Sequence, residues 1–137
     1  VLRQHFSDAE MAELTPRLDP DRPTGLAYVP LPRPGERFPE ADPDRQPCLE
    51  PRPADRATFF QGLLEAIADT ETRGYRRLAE LGAPFPASVR TVGGGAANPA
   101  WSRMRAQRLG VPLTEPHFRE AACATALLAR GEGPLPD

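Results

Sequence analysis

Apolar side chains recur at Phe59, Phe60, Leu63, Leu64, Ile67, Tyr75, Leu78 and Leu81, the spacing that lays one stripe along a helix. Pro53 suits the first position of that helix, Asp55 places a carboxylate in its first turn, and Gly82 ends it. Thr70, Glu71 and Gly74 interrupt the stripe, so the middle of the helix is expected to face something small or polar. Further on, the β-branched run at residues 89–92 predicts a strand, 99–109 a helix closed by Gly110, 111–114 a second short strand, and 119–130 an alanine-rich helix stopped by Gly131. Helix, strand, helix, strand, helix is the alternation of an α/β fold with at least partly parallel strands.

The first fifty residues carry a weaker pattern. A short helix over residues 9–14 has Ser7 or Asp8 as its cap, and Pro16, Pro20 and Pro23 then break regular structure. Residues 25–31 read as a strand confined to an edge by Pro30. From Pro32 to Pro53 prolines alternate with charged residues, which fits a disordered linker or an ordered loop tracking over a surface; composition favours the linker. No internal repeat is visible.

Composition narrows the function. The chain has 137 residues, 39% hydrophobic, with a formal net charge of -2. That suffices for one modest core, offers no basic excess for nucleic acid, and contains no apolar run long enough to cross a membrane. Cys48 and Cys123 lack metal-ligand spacing and read as free thiols of a cytoplasmic protein. The chain opens without methionine in what looks like the end of a helix, so a piece of something longer is expected.

The chemistry concentrates between Val89 and Leu109. Gly93, Gly94 and Gly95 let the backbone turn sharply and approach a ligand with no Cβ in the way. Asn98 suits an N-cap and Pro99 the first helical position, which aims N–H groups and the positive end of a helix dipole back at the glycines. Such a turn suits the ribose or phosphate of a nucleotide, although a strand-to-helix turn with glycine can be a turn and nothing else.

Other residues invite sharper readings that the bland ones outweigh. Glu36 and Arg37 read as an ion pair stiffening their loop, and Asp42 as a turn former before Pro43. Glu65 and Glu71 read as solvated or hydrogen-bonded structural glutamates, His117 as an exposed or capping residue, and Cys123 as a small core residue. Trp101 is expected to pack its helix onto the sheet, with stacking on adenine as the lesser option. His5 carries no argument.

Six motifs in order resemble the carboxy-terminal domain of the FGGY carbohydrate kinases. Gly25-Leu26-Ala27-Tyr28-Val29-Pro30 is similar to the family's G-L-x-F-x-P strand. Gly35-Glu36-Arg37-Phe38-Pro39 is similar to its G-E-R-x-P loop, and Asp42-Pro43 with Arg45 to the D-P-x-x-R that follows. Glu65-Ala66-Ile67-Ala68 resembles E-G-I-A. Gly93-Gly94-Gly95-Ala96, Asn98-Pro99 and Trp101 resemble G-G-G-A-x-x-P-x-W, and Leu109-Gly110-Val111-Pro112 resembles L-G-x-P. Glu120-Ala121-Ala122 opens the last helix. The branch that looks most similar is that of xylulokinase and D-ribulose kinase.

This resemblance implies a ribonuclease-H-like, actin-type ATPase fold, incomplete at its amino-terminal end. Residues 1–24 would be a remnant helix and Pro-rich connection, 25–130 the nucleotide-binding domain, and 131–137 a tail. It implies transfer of the ATP γ-phosphoryl group to a sugar hydroxyl, with a pentulose as acceptor and Mg2+ on the nucleotide. It also implies domain closure around the substrates, and a base and sugar site in an amino-terminal domain. Gly93, Gly94, Gly95 and Ala96 would lie against adenosine, and Asn98 would touch the adenine edge; none of the chain's own residues would be catalytic or bind metal. The opening β-hairpin with its threonine-rich phosphate contact is missing, and Ala124 stands where many relatives have glycine. The stretch alone is therefore expected to be inactive and to leave a sheet edge uncovered, frayed or closed by a second copy as a homodimer. Two alternatives come from other classes: a non-catalytic interaction or scaffold domain with a kinase-like fold, and an unrelated α/β nucleotide binder. The second is disfavoured because G-x-G-x-x-G with an acidic residue about twenty positions on is not met.

Overall fold

The computed structural model describes residues 1–116 and 121–131. Its regular elements are α1 (Asp8–Leu14), α2 (Arg56–Glu80), β1 (Val89–Arg90), α3 (Pro99–Leu109), β2 (Leu113–Thr114) and α4 (Ala121–Ala129), with 3₁₀ turns at Leu2–Gln4, Thr15–Arg17 and Gly94–Ala97. Ser7 caps α1, its hydroxyl accepting from the Glu10 N–H at 3.2 Å.

Helix α2 is the axis of the structure. It starts at Arg56 and not at Pro53, because Asp55 takes the N-cap: its carboxylate accepts from the Thr58 N–H and hydroxyl, both at 2.8 Å. Pro53 lies in the extended lead before the helix. The C-cap is Leu81, and Gly82 follows at φ +95°, the left-handed turn that ends the helix where expected. Phe59, Phe60, Leu63 and Leu64 are fully buried on one face and meet Phe6, Leu14, Leu18, Tyr28 and Met104. The ring of Phe6 lies 5.6 Å from that of Phe59 and 5.1 Å from that of Phe60. Each such burial is worth roughly 1.5–3 kcal/mol.

The stretch from Pro32 to Pro53 is not a linker: the bridges of Val29 with Cys48 and Glu36 with Asp42, the pairing of Glu36 with Arg73 of α2, and the Tyr28 hydroxyl donating to the Pro51 carbonyl at 2.8 Å hold it in place. Residues 15–51 run over α2 as an ordered strap, and α2 supplies the partners their backbone lacks. The Gln61 amide donates to the Asp19 and Arg22 carbonyls, each at 2.9 Å, and its oxygen accepts from the Asp19 N–H at 2.9 Å. Glu65, buried, accepts from the Thr24 N–H at 3.1 Å and the Thr24 hydroxyl at 2.8 Å, and from Gln61 at 2.9 Å. Prolines deprive a segment of ladder donors, so what remains must be satisfied by side chains. Composition reported the missing donors but not the glutamine and glutamate waiting on the helix.

The expected strand at 25–31 reduces to one antiparallel bridge, Val29 with Cys48, and a second bridge joins Glu36 and Asp42. Asp42 forms the turn expected of it, its carboxylate accepting from the Asp44 N–H at 3.0 Å. Glu36 pairs across to Arg73 of α2 at 3.4 Å, while Arg37 is exposed, so the loop is stiffened from the helix and not by its own neighbouring arginine.

Strands β1 and β2 pair in parallel, Val89 with Leu113 and Arg90 with Thr114. They span two residues each where four were expected. Thr91 and Val92 already peel toward the glycines, and Pro112 has no N–H to continue the ladder, although its carbonyl accepts from Val89 at 3.0 Å. Helix α3 ends at Gly110, φ +71°, and Gly131, φ +73°, follows α4. The expected start of α4 at Arg119, together with His117 and Glu120, lies outside the described residues.

Candidate functional site

Strand β1 delivers the chain to the glycines and α3 carries it away. Gly93 has φ +81° and ψ -169°, a region that only glycine enters without strain. A Cβ on Gly93 would meet open space, so the backbone, not packing, requires glycine there. Gly95 is glycine for the opposite reason: a Cβ would lie 2.4 Å from Cζ3 of Trp101. Trp101 packs against the core, as expected, and its ring is the floor on which the loop rests.

Asn98 is the N-cap of α3. Its Oδ1 accepts from the Trp101 N–H at 2.9 Å, and its Nδ2 donates to the Thr15 hydroxyl at 3.2 Å. The Thr15 hydroxyl in turn donates to the Met11 carbonyl at 2.7 Å. The cap is thus anchored to the end of α1, which a reading of α3 alone does not foresee. Ala96 is exposed beside a small cleft of about 90 Å³, lined with Thr91, Ser102, Leu113, Thr114 and Glu115. Binding sites for whole small ligands run to about 300–1,000 Å³. This cleft falls well short of that size.

Behind the loop lies a polar clamp. Arg105 on α3, 6% exposed, donates from Nε and Nη2 to the two carboxylate oxygens of Glu71, both at 2.6 Å, and from Nη1 to the Thr91 hydroxyl. Its guanidinium also sits 5.3 Å from the centre of the Trp101 ring. Glu71 is therefore the hydrogen-bonded structural glutamate expected, and the interruption of the α2 stripe there marks its arginine partner. At Gly74 the neighbour is neither small nor polar: a Cβ would lie 2.0 Å from Cζ of Phe38. Arg105 and Thr91 drew no attention in the sequence. The available signal was the placement of Arg105 one turn beyond Trp101 on the same helical face.

Glu65 and Arg108 meet at 3.3 Å, and Arg108 also pairs with Asp69 at 2.6 Å, so the buried carboxylate belongs to the α2–α3 packing. A larger, mostly apolar groove of about 570 Å³ lies on the other side of α2, between Pro30, Leu31 and Phe38 of the strap and Ile67, Tyr75 and Leu78. Glu71 reaches both this groove and the clamp. Cys48 is exposed and Cys123 half-buried, both as free thiols, so Cys123 is not the core residue expected. Among the described residues no three His, Cys, Asp or Glu side chains gather to hold a metal, and no helix is long and apolar enough to cross a membrane.

A parallel strand, a glycine turn at its carboxyl end and a capped helix beyond it make the place where open α/β sheets meet their ligands. Residues 1–129 match the FGGY family of carbohydrate kinases, C-terminal domain, and the chain belongs to that family, whose members are phosphotransferases of the actin-like, ribonuclease-H-like α/β fold. It is 33% identical over 85 residues to the autoinducer-2 kinases of Yersinia pestis (strain Pestoides F) and Yersinia pseudotuberculosis serotype O:3 (strain YPIII). That match takes in 62% of this chain and 16% of each relative, so the chain matches about one sixth of the length of these curated relatives.

Proposed function

We propose that this domain supplies the nucleotide-binding wall of an ATP-dependent carbohydrate kinase. The observation that supports this is the turn after β1. Gly93 leaves the strand in a conformation only glycine adopts, three glycines bare the main chain, and Asn98 holds the amino end of α3 behind them. Bare backbone at a helix N-terminus attracts electron-rich oxygen and tolerates a flat ring lying flush against it. Gly93, Gly94, Gly95 and Ala96 are the residues assigned to adenosine. Asn98 contributes less than its sequence position suggested, because its carbonyl oxygen is committed to Trp101 and one of its amide hydrogens to Thr15.

The residues lining the cleft beside Ala96 are neutral apart from Glu115, which fits a nucleoside better than a triphosphate. Magnesium would travel on the ATP phosphates, neutralising the charge that develops as the γ-phosphoryl group moves to a sugar hydroxyl. The sugar and the general base belong to an amino-terminal domain, and the work done here is positioning. The likeness of Gly35–Pro39 and of Asn98-Pro99 to the xylulokinase and D-ribulose kinase branch favours a pentulose as acceptor, in a cytoplasmic enzyme. The name shared by the relatives favours a second acceptor, autoinducer-2.

The test is titration of the 137-residue chain with ADP, followed by NMR and thermal shift, beside an Ala96→Leu variant. Ala96 is exposed, so the added side chain covers the wall without disturbing the core. Saturable shifts at Gly93–Gly95 that the variant lacks support the reading, and identical responses of the two proteins refute it. Phosphorylation of a pentulose or of autoinducer-2 by the full-length enzyme then decides the acceptor.

A further inference from the structure

We infer that Arg105 is the positioning residue of the glycine loop, holding it in the shape that receives a nucleotide; the nucleotide in this statement rests on the function proposed above. A run of three glycines and two alanines has almost no side chains with which to hold itself. Within it the main chain closes one short 3₁₀ turn, bounded by the bonds from Ala96 N–H to the Gly93 carbonyl at 3.1 Å and from Asn98 N–H to the Gly95 carbonyl at 3.3 Å. Glycine also loses more conformational freedom on ordering than any other residue. The shape must therefore be imposed from outside the loop.

Arg105 does this at both ends. Nη1 donates to Thr91, the residue at which the chain leaves β1, and the guanidinium lies over Trp101, whose ring fills the space beneath Gly95. Glu71 holds the guanidinium itself through two parallel bonds of 2.6 Å from the middle of the best-packed helix. A planar fork with both oxygens of one carboxylate engaged has a single orientation, which is why the third arm can be aimed at Thr91. The rigid body α2 thus reaches the loop through one side chain. A lysine would keep the charge but could not address Glu71 and Thr91 at once.

The decisive variants act on the far end of the clamp, where the fold is not at risk. Thr91→Val keeps the shape and removes the acceptor, Thr91→Ser restores it, and Arg105→Lys keeps only the charge. In the 137-residue chain, backbone amide order at Gly93–Gly95 is read by ¹⁵N relaxation, and affinity by ADP titration. We expect Thr91→Val and Arg105→Lys to loosen these amides relative to α2 and to weaken ADP about tenfold, with Thr91→Ser close to wild type. A merely structural arginine would lower thermal stability while leaving the order of the loop unchanged, and that result overturns the inference. If the amides loosen as expected but wild type does not respond to ADP, the positioning role stands and the nucleotide reading falls. If wild type binds ADP and every variant binds equally with an equally ordered loop, the nucleotide reading stands and the positioning role falls.

Discussion

Along α2, Phe59, Phe60, Leu63 and Leu64 are at most 2% exposed and are surrounded by Phe6, Leu14, Tyr28 and Met104. Beyond the end of α2 at Glu80, the loop 93–97 carries three glycines and two alanines, with Gly93, Ala96 and Ala97 exposed. The first region is specified by apolar area, a non-directional quantity spread over many contacts. The second is specified by directed contacts from elsewhere: Arg105 to Thr91, Asn98 to Thr15, Trp101 under Gly95. Stability and site geometry are thereby assigned to different chemistry. A packed face tolerates conservative change, whereas a loop without side chains depends on each of its few supports.

The largest effect should come from the packed side. Phe60→Ala removes a ring that is 2% exposed beside Phe6, and the cost of such truncations is about 3–5 kcal/mol. Urea denaturation followed by circular dichroism reads it as a lower midpoint with little change in slope. A cost under 1 kcal/mol would mean that this face is loosely filled, and the contrast with the loop would dissolve.

A matched pair of glycines probes the contrast more finely. Gly95→Ala and Gly74→Ala each drive a Cβ against the edge of an aromatic ring, 2.4 Å from Trp101 and 2.0 Å from Phe38. By distance alone Gly74 should be worse. Phe38, however, is 55% exposed and can swing outward, and α2 gains about 1 kcal/mol of helix propensity from the exchange. Trp101 is held between the core and Arg105 and cannot yield. Gly95→Ala is therefore expected to cost about 1–3 kcal/mol and Gly74→Ala to stay within about 1 kcal/mol of wild type. Equal costs in parallel urea melts would show that the loop is no more dependent on its supports than the strap is.

The same contrast explains which parts of the molecule could be read from the amino acids. Periodicity reports faces, so the buried stripe of α2 and the strand–helix alternation around the glycines were visible. Local chemistry reports caps, so Ser7, Asn98, Gly82, Gly110 and Gly131 fell where such residues end helices. The start of α2 was misjudged by three residues because Pro53 and Asp55 are both valid openings, and the bonds to Thr58 decide between them. The stretch from Pro32 to Pro53 was misread because its order is lent from outside it, by Val29 opposite Cys48, by Tyr28 on the Pro51 carbonyl and by Arg73 of α2 on Glu36. Arg105 was invisible for the same reason. Its partners, Glu71 and Thr91, are 34 and 14 residues distant, and nothing local marks a charge that will be buried between them.

The smallest expected effect concerns the imidazole at the edge of the packed side. His5 stacks edge-on against Phe59 at 5.5 Å, and its pKa is lowered from 6.5, first by burial, then by the charges of Arg52, the amino group at Val1 and Arg56. The imidazole is thus neutral in the fold at a pH where the unfolded chain has begun to take up a proton. Well above pH 6.5 both states are neutral there and His5 adds no pH dependence. As pH falls below 6.5 the unfolded state binds the proton first, so stability declines until the folded ring also protonates. Urea midpoints at pH 7.5 and 5.5 for wild type and His5→Gln isolate this contribution from the carboxylates common to both. Wild type should lose more than the variant over that interval, since glutamine has no proton to gain. Identical losses would mean that the ring protonates as readily against Phe59 as in the open chain, and that the packed face is wetter at its amino-terminal edge than its burial implies.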